Sequence, residues 1–127
     1  MRLLDSDVMI DLQRRYPPAR AWFDSLAESP GLPGFVVLEL LEGCRNKAEM
    51  ARVQAHAALF AVHWPTANDS ERAMSTFARA RLSHRLSIPD LMIAECAVGL
   101  GATLCTFNVR HFRIVTGLVT EQPYLRS

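Results

Sequence analysis

The chain has 127 residues, 50% of them hydrophobic and 21% charged, with a formal net charge of +1. That is the size of one domain with enough apolar material for a core, which excludes intrinsic disorder, and the neutral total carries no global basic field of the kind that announces nucleic acid. Met1-Arg2-Leu3-Leu4-Asp5 offers only two apolar residues before a carboxylate. A secretory core needs ~7–15 and a membrane span ~18–20, so a cytoplasmic protein away from the membrane is expected.

Arg2-Leu3-Leu4 predicts a short strand. Asp5-Ser6-Asp7 predicts a capping turn, with Ser6 or Asp7 satisfying the free N–H groups of a helix through Val8, Met9, Ile10 and Leu12. Tyr16-Pro17-Pro18 ends that helix, and a second runs from about Ala19 to Glu28. The stretch from Ser29 to Gly34 is turn-rich, and Phe35 to Leu41 is a buried helix closing on Gly43. Lys47 to about Leu59 is helical, Phe60-Ala61-Val62 is a strand, and Asn68 with Glu71 resembles a capping box for a long helix to about His84. Pro89 fits the first turn of a helix reaching Leu100, with Gly99 and Gly101 closing it. Thr103 to Thr106 is a strand, and Ile114, Val115, Leu118 and Val119 suggest a last one. Short apolar strands alternating with helices mark an α/β domain with a mostly parallel sheet.

The chemistry-bearing residues narrow the field. There is no G-x-G-x-x-G and no P-loop; the first strand-to-helix turn is Asp-Ser-Asp, which favours a cation over a phosphate. Asp5 and Asn108 follow strands, where open α/β sheets collect ligands, although Asp5 also suits plain helix capping and Asn108 a plain turn. Glu39 has three or more apolar residues on each side. A buried carboxylate must be partnered, protonated or bound to a cation, unless this one faces solvent beside Glu42. Asp90 follows Pro89 in a first helical turn, where the macrodipole alone favours an acid. His56, His63, His84 and His111 form no i,i+4 pair, so the available metal chemistry is oxygen-only and suits Mg²⁺ or Mn²⁺ over zinc. Cys44, Cys96 and Cys105 are odd in number and far apart, and read as small buried hydrophobes. Of 14 basic residues 13 are Arg, which suits phosphate recognition, although a GC-rich genome explains the skew more simply.

Taken together these segments resemble a PIN-domain ribonuclease of the VapC-type toxin class over nearly the whole chain. Leu3-Leu4-Asp5-Ser6-Asp7-Val8 resembles the first family motif, Val37-Leu38-Glu39-Leu40-Leu41-Glu42-Gly43 the second, Ile88-Pro89-Asp90-Leu91 the third, and Thr106-Phe107-Asn108-Val109-Arg110-His111-Phe112 the fourth. The resemblance implies a single PIN-like domain over 1–127, built as a three-layer α/β/α sandwich with a mostly parallel central sheet. It implies that Asp5, Glu39 and Asp90 are metal ligands and catalytic together with Asn108, with His111 standing where some members carry an additional acid. The implied activity is Mg²⁺-dependent endoribonuclease action (Mn²⁺ as substitute), by the toxin of a toxin–antitoxin pair, hydrolysing RNA with a metal-activated water. The implied partners are RNA, a cognate antitoxin and a second copy in a homodimer.

Two rivals stand beside this reading. One is a non-catalytic PIN-like module that binds RNA or protein; the acids Asp5, Glu39 and Asp90 weigh against it. The other is a receiver-type phosphoacceptor, which wants a lysine after a late strand, whereas Lys47 is the only lysine and lies in a predicted helix. Because an acidic site repels phosphate, Arg81, Arg85, Arg110 and Arg113 are expected to form a positive rim for the substrate. Met9, Trp22, Phe23, Phe35, Leu59, Phe60 and Phe77 are more large apolar residues than one small core readily takes, so an interface is expected. The antitoxin groove should join an apolar floor to the acidic cluster, where an Arg or Lys of the partner pairs with Asp5 and Asp90.

Overall fold

The structure, a computed structural model, describes residues 1–126. Strand β1 (Arg2–Leu4) is the hub. On one side it pairs in parallel with β4 (Thr103–Cys105), in the register Leu3 to Leu104, and β4 pairs in parallel with β5 (Val119–Glu121). On the other side a backbone bridge from Leu3 to Gly31 joins β1 to a parallel pair, β2 (Leu32–Pro33) and β3 (Val62–His63). The spatial order is therefore β3-β2-β1-β4-β5, all parallel, with helices in the crossovers as expected for a layered α/β domain. Leu3, Leu4, Leu32 and Leu104 are fully buried, which is why these strands read as unbroken apolar runs rather than alternating ones.

The helices are α1 (Ser6–Gln13), α2 (Pro17–Ser25), α3 (Gly34–Glu42), α4 (Lys47–Ala57), α5 (Ala67–Ala80) and α6 (Ile88–Leu100). Helix α6 is largely apolar around its circumference, with Asp90 and Glu95 as its two charged residues, and packs against both α5 and α3. Ser87 caps its start, Pro89 lies in its first turn, and Gly101 ends it in the left-handed region at φ 64°.

Several boundaries depart from the sequence reading for identifiable reasons. Asp5, not Ser6 or Asp7, is the N-cap of α1. Pro17 and Pro18 open α2 rather than only closing α1, because proline is at home in a first turn. The turn-rich segment contains β2, too short to show a pattern. The box at the start of α5 is closed by Thr66 and Asp69, two residues earlier than Asn68 and Glu71: Thr66 is the extended residue before the helix and its hydroxyl accepts from the Asp69 N–H, whereas Asn68 already lies inside the helix. Residues His111–Ile114 form a short 3-10 turn, η1, around the buried Phe112, so the last strand begins only at Val119.

Met9 is fully buried; Trp22, Phe23, Phe35, Phe60 and Phe77 are half-buried, while Leu59 and Trp64 are exposed. Cys96 and Cys105 are buried thiols, and Cys44 is half-buried. The chain's last described residues return to the start of the fold. The Tyr124 hydroxyl donates to Asp11 at 2.7 Å, Arg126 Nε donates to the same oxygen at 3.0 Å, and the Arg126 guanidinium lies 3.9 Å over the Phe107 ring. This fastens α1 to the loop leaving β4.

Candidate active site

Both central strands end in polar side chains that meet. The Asp5 N–H continues the β1–β4 ladder by donating to the Cys105 carbonyl at 3.0 Å. Its side chain then does two things: Oδ1 accepts from the Ser6 N–H at 2.8 Å, and Oδ2 accepts from the Thr106 hydroxyl at 2.8 Å. Asp5 is thus the cap it resembles and also a member of an acidic group. Burial, then the charge of Asp7, pushes its carboxyl up to about 6, with Asp90 adding to the rise. Asp7 accepts from the N–H groups of Val8 at 2.8 Å and Phe107 at 2.9 Å, and burial raises its carboxyl too.

Glu39 projects from α3. Its Oε1 is buried and finds no hydrogen-bond partner among the described residues. Burial, then the negative charges of Asp5 and Asp90, pushes its carboxyl up to about 7. Asp90 stands in the first turn of α6, where its N–H donates to the Ser87 hydroxyl at 3.2 Å and its Oδ2 accepts from His111 Nε2 at 2.9 Å. Among the described residues no arginine or lysine pairs with Asp5, Glu39 or Asp90. Three carboxylates at the end of β1, on α3 and on α6 therefore repel one another, and among the described residues no arginine or lysine offsets them.

Asn108 is exposed and serves the turn with its backbone. Its N–H donates to the Thr106 hydroxyl at 3.0 Å and its carbonyl accepts from His111 at 3.0 Å, while its side chain makes no hydrogen bond among the described residues. Arg81 and Arg85 line a recess of about 620 Å³ that includes Asp90, Phe77 and Ile88. Arg110 and Arg113 are exposed on either side of His111. A second groove, of about 1080 Å³, starts at Ser6 and Glu39 and runs between α1, α3 and α4. Its floor is Ile10, Leu12, Leu40 and Val53, and its walls carry Arg14, Arg15, Arg20, Arg45 and Arg52. Those five arginines were not foreseen, since they are scattered over 39 positions and only the fold gathers them. Thr106 and His111 lay inside the fourth motif without a role; the hydrogen bonds to Asp5 and Asp90 supply one.

The PIN domain, as a sequence family, matches residues 2–117. The chain is 34% identical to ribonuclease VapC19 of Mycobacterium tuberculosis over 98% of its own length and 100% of that protein's. This chain belongs to the PIN-domain family, among the VapC ribonucleases. It is also 37% identical to ribonuclease VapC10 of the same organism, over 88% of this chain and 86% of that one. A toxin–antitoxin complex from Klebsiella pneumoniae has a chain that superposes with a TM-score of 0.78 at 19% identity, covering 99% of this chain and 100% of that one. DNA-bound VapBC from Salmonella typhimurium gives a TM-score of 0.77 at 20% identity, covering 94% and 96%. These neighbours bear out the layered α/β fold of the PIN domain.

The donor set of this PIN domain fits a hard divalent cation. All the acidic side chains gathered here offer oxygen, and the buried Oε1 of Glu39 is an acceptor with no donor among the described residues. Among the described residues no three acidic, imidazole or thiol side chains stand close enough together to hold a metal ion by themselves. Mg²⁺ does not ask for that, because it takes one or two carboxylates and fills the remaining positions with water and phosphate oxygens.

Proposed function

We propose that this VapC-family ribonuclease is a metal-dependent endoribonuclease, the toxin of a toxin–antitoxin pair, with Asp5, Glu39 and Asp90 as its cation-holding and catalytic carboxylates and residues 1–127 as one PIN-like domain. The observation that carries the reading is the half-buried Glu39 carboxylate near Asp5 and Asp90, whose Oε1 is buried without a hydrogen-bond partner among the described residues. Mg²⁺ is the cation proposed, with Mn²⁺ as substitute. When bound, it supplies a more acidic attacking water and stabilisation of charge on the phosphodiester.

The protein's own groups do the rest. Thr106 and the Ser6 N–H fix Asp5, so the carboxylate at the end of β1 is pre-set rather than recruited. Arg81 and Arg85, sharing a recess with Asp90, gather the phosphates that the acidic centre alone would repel, with Arg110 and Arg113 extending that rim. Asn108 serves by shaping the turn that presents Thr106 and His111. The groove that runs from Glu39 over Ile10, Leu12, Leu40 and Val53 joins an apolar floor to the acidic site and suits the antitoxin segment, a basic residue of which would pair with Asp5 and Asp90. Exposed Trp64, Ile88, Met74 and Leu82 supply apolar surface for a homodimer. Among the described residues no helix is long and apolar enough to cross a membrane, in keeping with a cytoplasmic site of action.

The test is cleavage of a single-stranded RNA by the purified protein with Mg²⁺ or Mn²⁺, and its loss in chelator and in Asp90→Asn. Cleavage that persists in chelator would overturn the metal-dependent reading. Co-expression with the neighbouring reading frame tests the antitoxin, and sedimentation at micromolar concentration tests the dimer.

A further inference from the structure

Asp5 is fixed by two hydrogen bonds, but nothing on α6 itself fixes the Asp90 carboxylate. That carboxylate is a quarter exposed and faces two like charges, since Asp90 acts on both Asp5 and Glu39. Left alone, it gains by rotating outward into water, away from the centre it is meant to complete. Its one side-chain partner among the described residues is His111, at 2.9 Å. A carboxylate oxygen accepts, so Nε2 carries the hydrogen. His111 is itself held. Its backbone N–H donates to the Asn108 carbonyl at 3.0 Å, and its ring meets the buried Phe112 edge-on at 5.5 Å. The same loop, leaving β4, also holds Asp5 through Thr106 and Asp7 through the Phe107 N–H.

We propose that His111 is a positioning residue for Asp90: by donating to Oδ2 it holds the carboxylate toward Asp5 and Glu39 and leaves Oδ1 free for the cation. The inference rests on the metal-site reading above. A hydrogen-bonded outer partner orients a ligating carboxylate, and loss of such a partner weakens metal binding by roughly 10–100-fold. The loop leaving β4 is then a single bracket that sets three carboxylates of the site.

The experiment is Mn²⁺ titration of the full chain by calorimetry, with melting in chelator as the folding control. His111→Ala should weaken Mn²⁺ binding about tenfold with little change in melting temperature. His111→Phe, which keeps a ring against Phe112 but has no donor, should behave like His111→Ala. His111→Gln and His111→Asn carry an N–H donor, and at least one should recover binding to within about threefold. On an Asp90→Ala background, His111→Ala should add nothing, because the carboxylate that the imidazole holds is gone. Unchanged or tighter Mn²⁺ binding by His111→Ala overturns the positioning role while leaving the metal site intact. A wild-type chain that binds no Mn²⁺ overturns the metal-site reading itself, and this inference with it.

Discussion

Helix α6 contributes to two groups of carboxylates, one buried and one partly open, and they are built on opposite plans. On the side facing α5, Asp69 and Glu95 are nearly inaccessible, and Arg72 lies between them. Its Nη2 donates to Asp69 Oδ1 at 2.6 Å and to the Glu95 carbonyl at 3.2 Å, and its Nε donates to Glu95 Oε2 at 2.9 Å. The second oxygen of Asp69 takes the Thr66 N–H at 2.9 Å. One planar fork thus serves two acids whose charge is neutralised by the chain itself. At the helix start, Asp90 joins Asp5 and Glu39 with no such fork, and Glu39 keeps an unpartnered oxygen. The same residue types are structural where the counter-charge comes with the sequence, and free to bind where it must come from outside.

The sharpest way to break this comparison is to remove one acid of the unpaired group. Asp90→Asn should lower RNA cleavage by about a hundredfold or more while leaving the melting temperature in chelator unchanged or slightly raised, since it relieves repulsion. A large fall in melting temperature would make Asp90 structural, like Asp69 and Glu95.

The converse change is Arg72→Ala. It strands two buried carboxylates, and loss of one partner of such a group costs about 3–5 kcal/mol when fully buried, so with the Arg72 side chain 42% exposed roughly 2–4 kcal/mol is expected. That is a fall of roughly 10 °C on melting. Mn²⁺ affinity should not change. A melting temperature within a degree or two of wild type would show that the pairing contributes nothing.

Gly99→Ala probes the same group more gently. A Cβ on Gly99 would collide with the Asp69 carboxylate, so α6 and α5 must separate or Asp69 must leave Arg72. Overpacking typically costs about 1–3 kcal/mol, and the better helix propensity of alanine returns up to ~1 kcal/mol. A net loss of about 1–2 kcal/mol is expected in a urea titration, with cleavage retained. A stabilised variant would contradict the close approach.

How much of this was legible depended on whether the partner was local. Asp5, Glu39 and Asp90 could be singled out because each breaks an apolar stretch or sits at a strand end or in a first helical turn; the apolar neighbours of Glu39 left open whether it is buried or faces solvent, and it is half-buried. Gly101 and Pro89 marked the ends of α6 for equally local reasons. The Asp69–Arg72–Glu95 group was invisible because its decisive contact spans 23 residues and two helices. Strand β2 was missed because two residues carry no periodicity. The tether from His111 to Asp90 and the arginine walls of the groove likewise exist only after folding. Motif spacing pointed to the loop at Thr106–His111 without saying which of its residues would touch an acid, and Asn108, the most conspicuous of them, makes its hydrogen bonds in this loop with its backbone.

The smallest expected effect is in the pH dependence of the metal-free fold. Asp5 and Glu39 have carboxyl groups pushed up to about 6 and about 7 from ordinary values of 3.8 and 4.5. Between about pH 4 and pH 7 the folded chain therefore holds protons that the unfolded chain has released, and stability must fall as pH rises through that window. Asp5 is well buried and dominates; Glu39 is half-buried and its share is reduced by solvent. Together they amount to about 2 kcal/mol, or a melting temperature in chelator roughly 5 °C lower at pH 8 than at pH 5. His56, whose imidazole is pushed down by burial, works the other way on the acid side and blunts the contrast there. The comparison that isolates the acidic centre is therefore between variants. Glu39→Gln should flatten the slope between pH 6 and 8, and Mg²⁺ at pH 8 should restore the melting temperature of wild type but not of Asp90→Asn. If wild type in chelator melts at the same temperature at pH 6 and pH 8, or Glu39→Gln keeps the full slope, the acids at the end of β1 and on α3 do not repel each other as their placement requires, and the contrast with the Arg72 group fails.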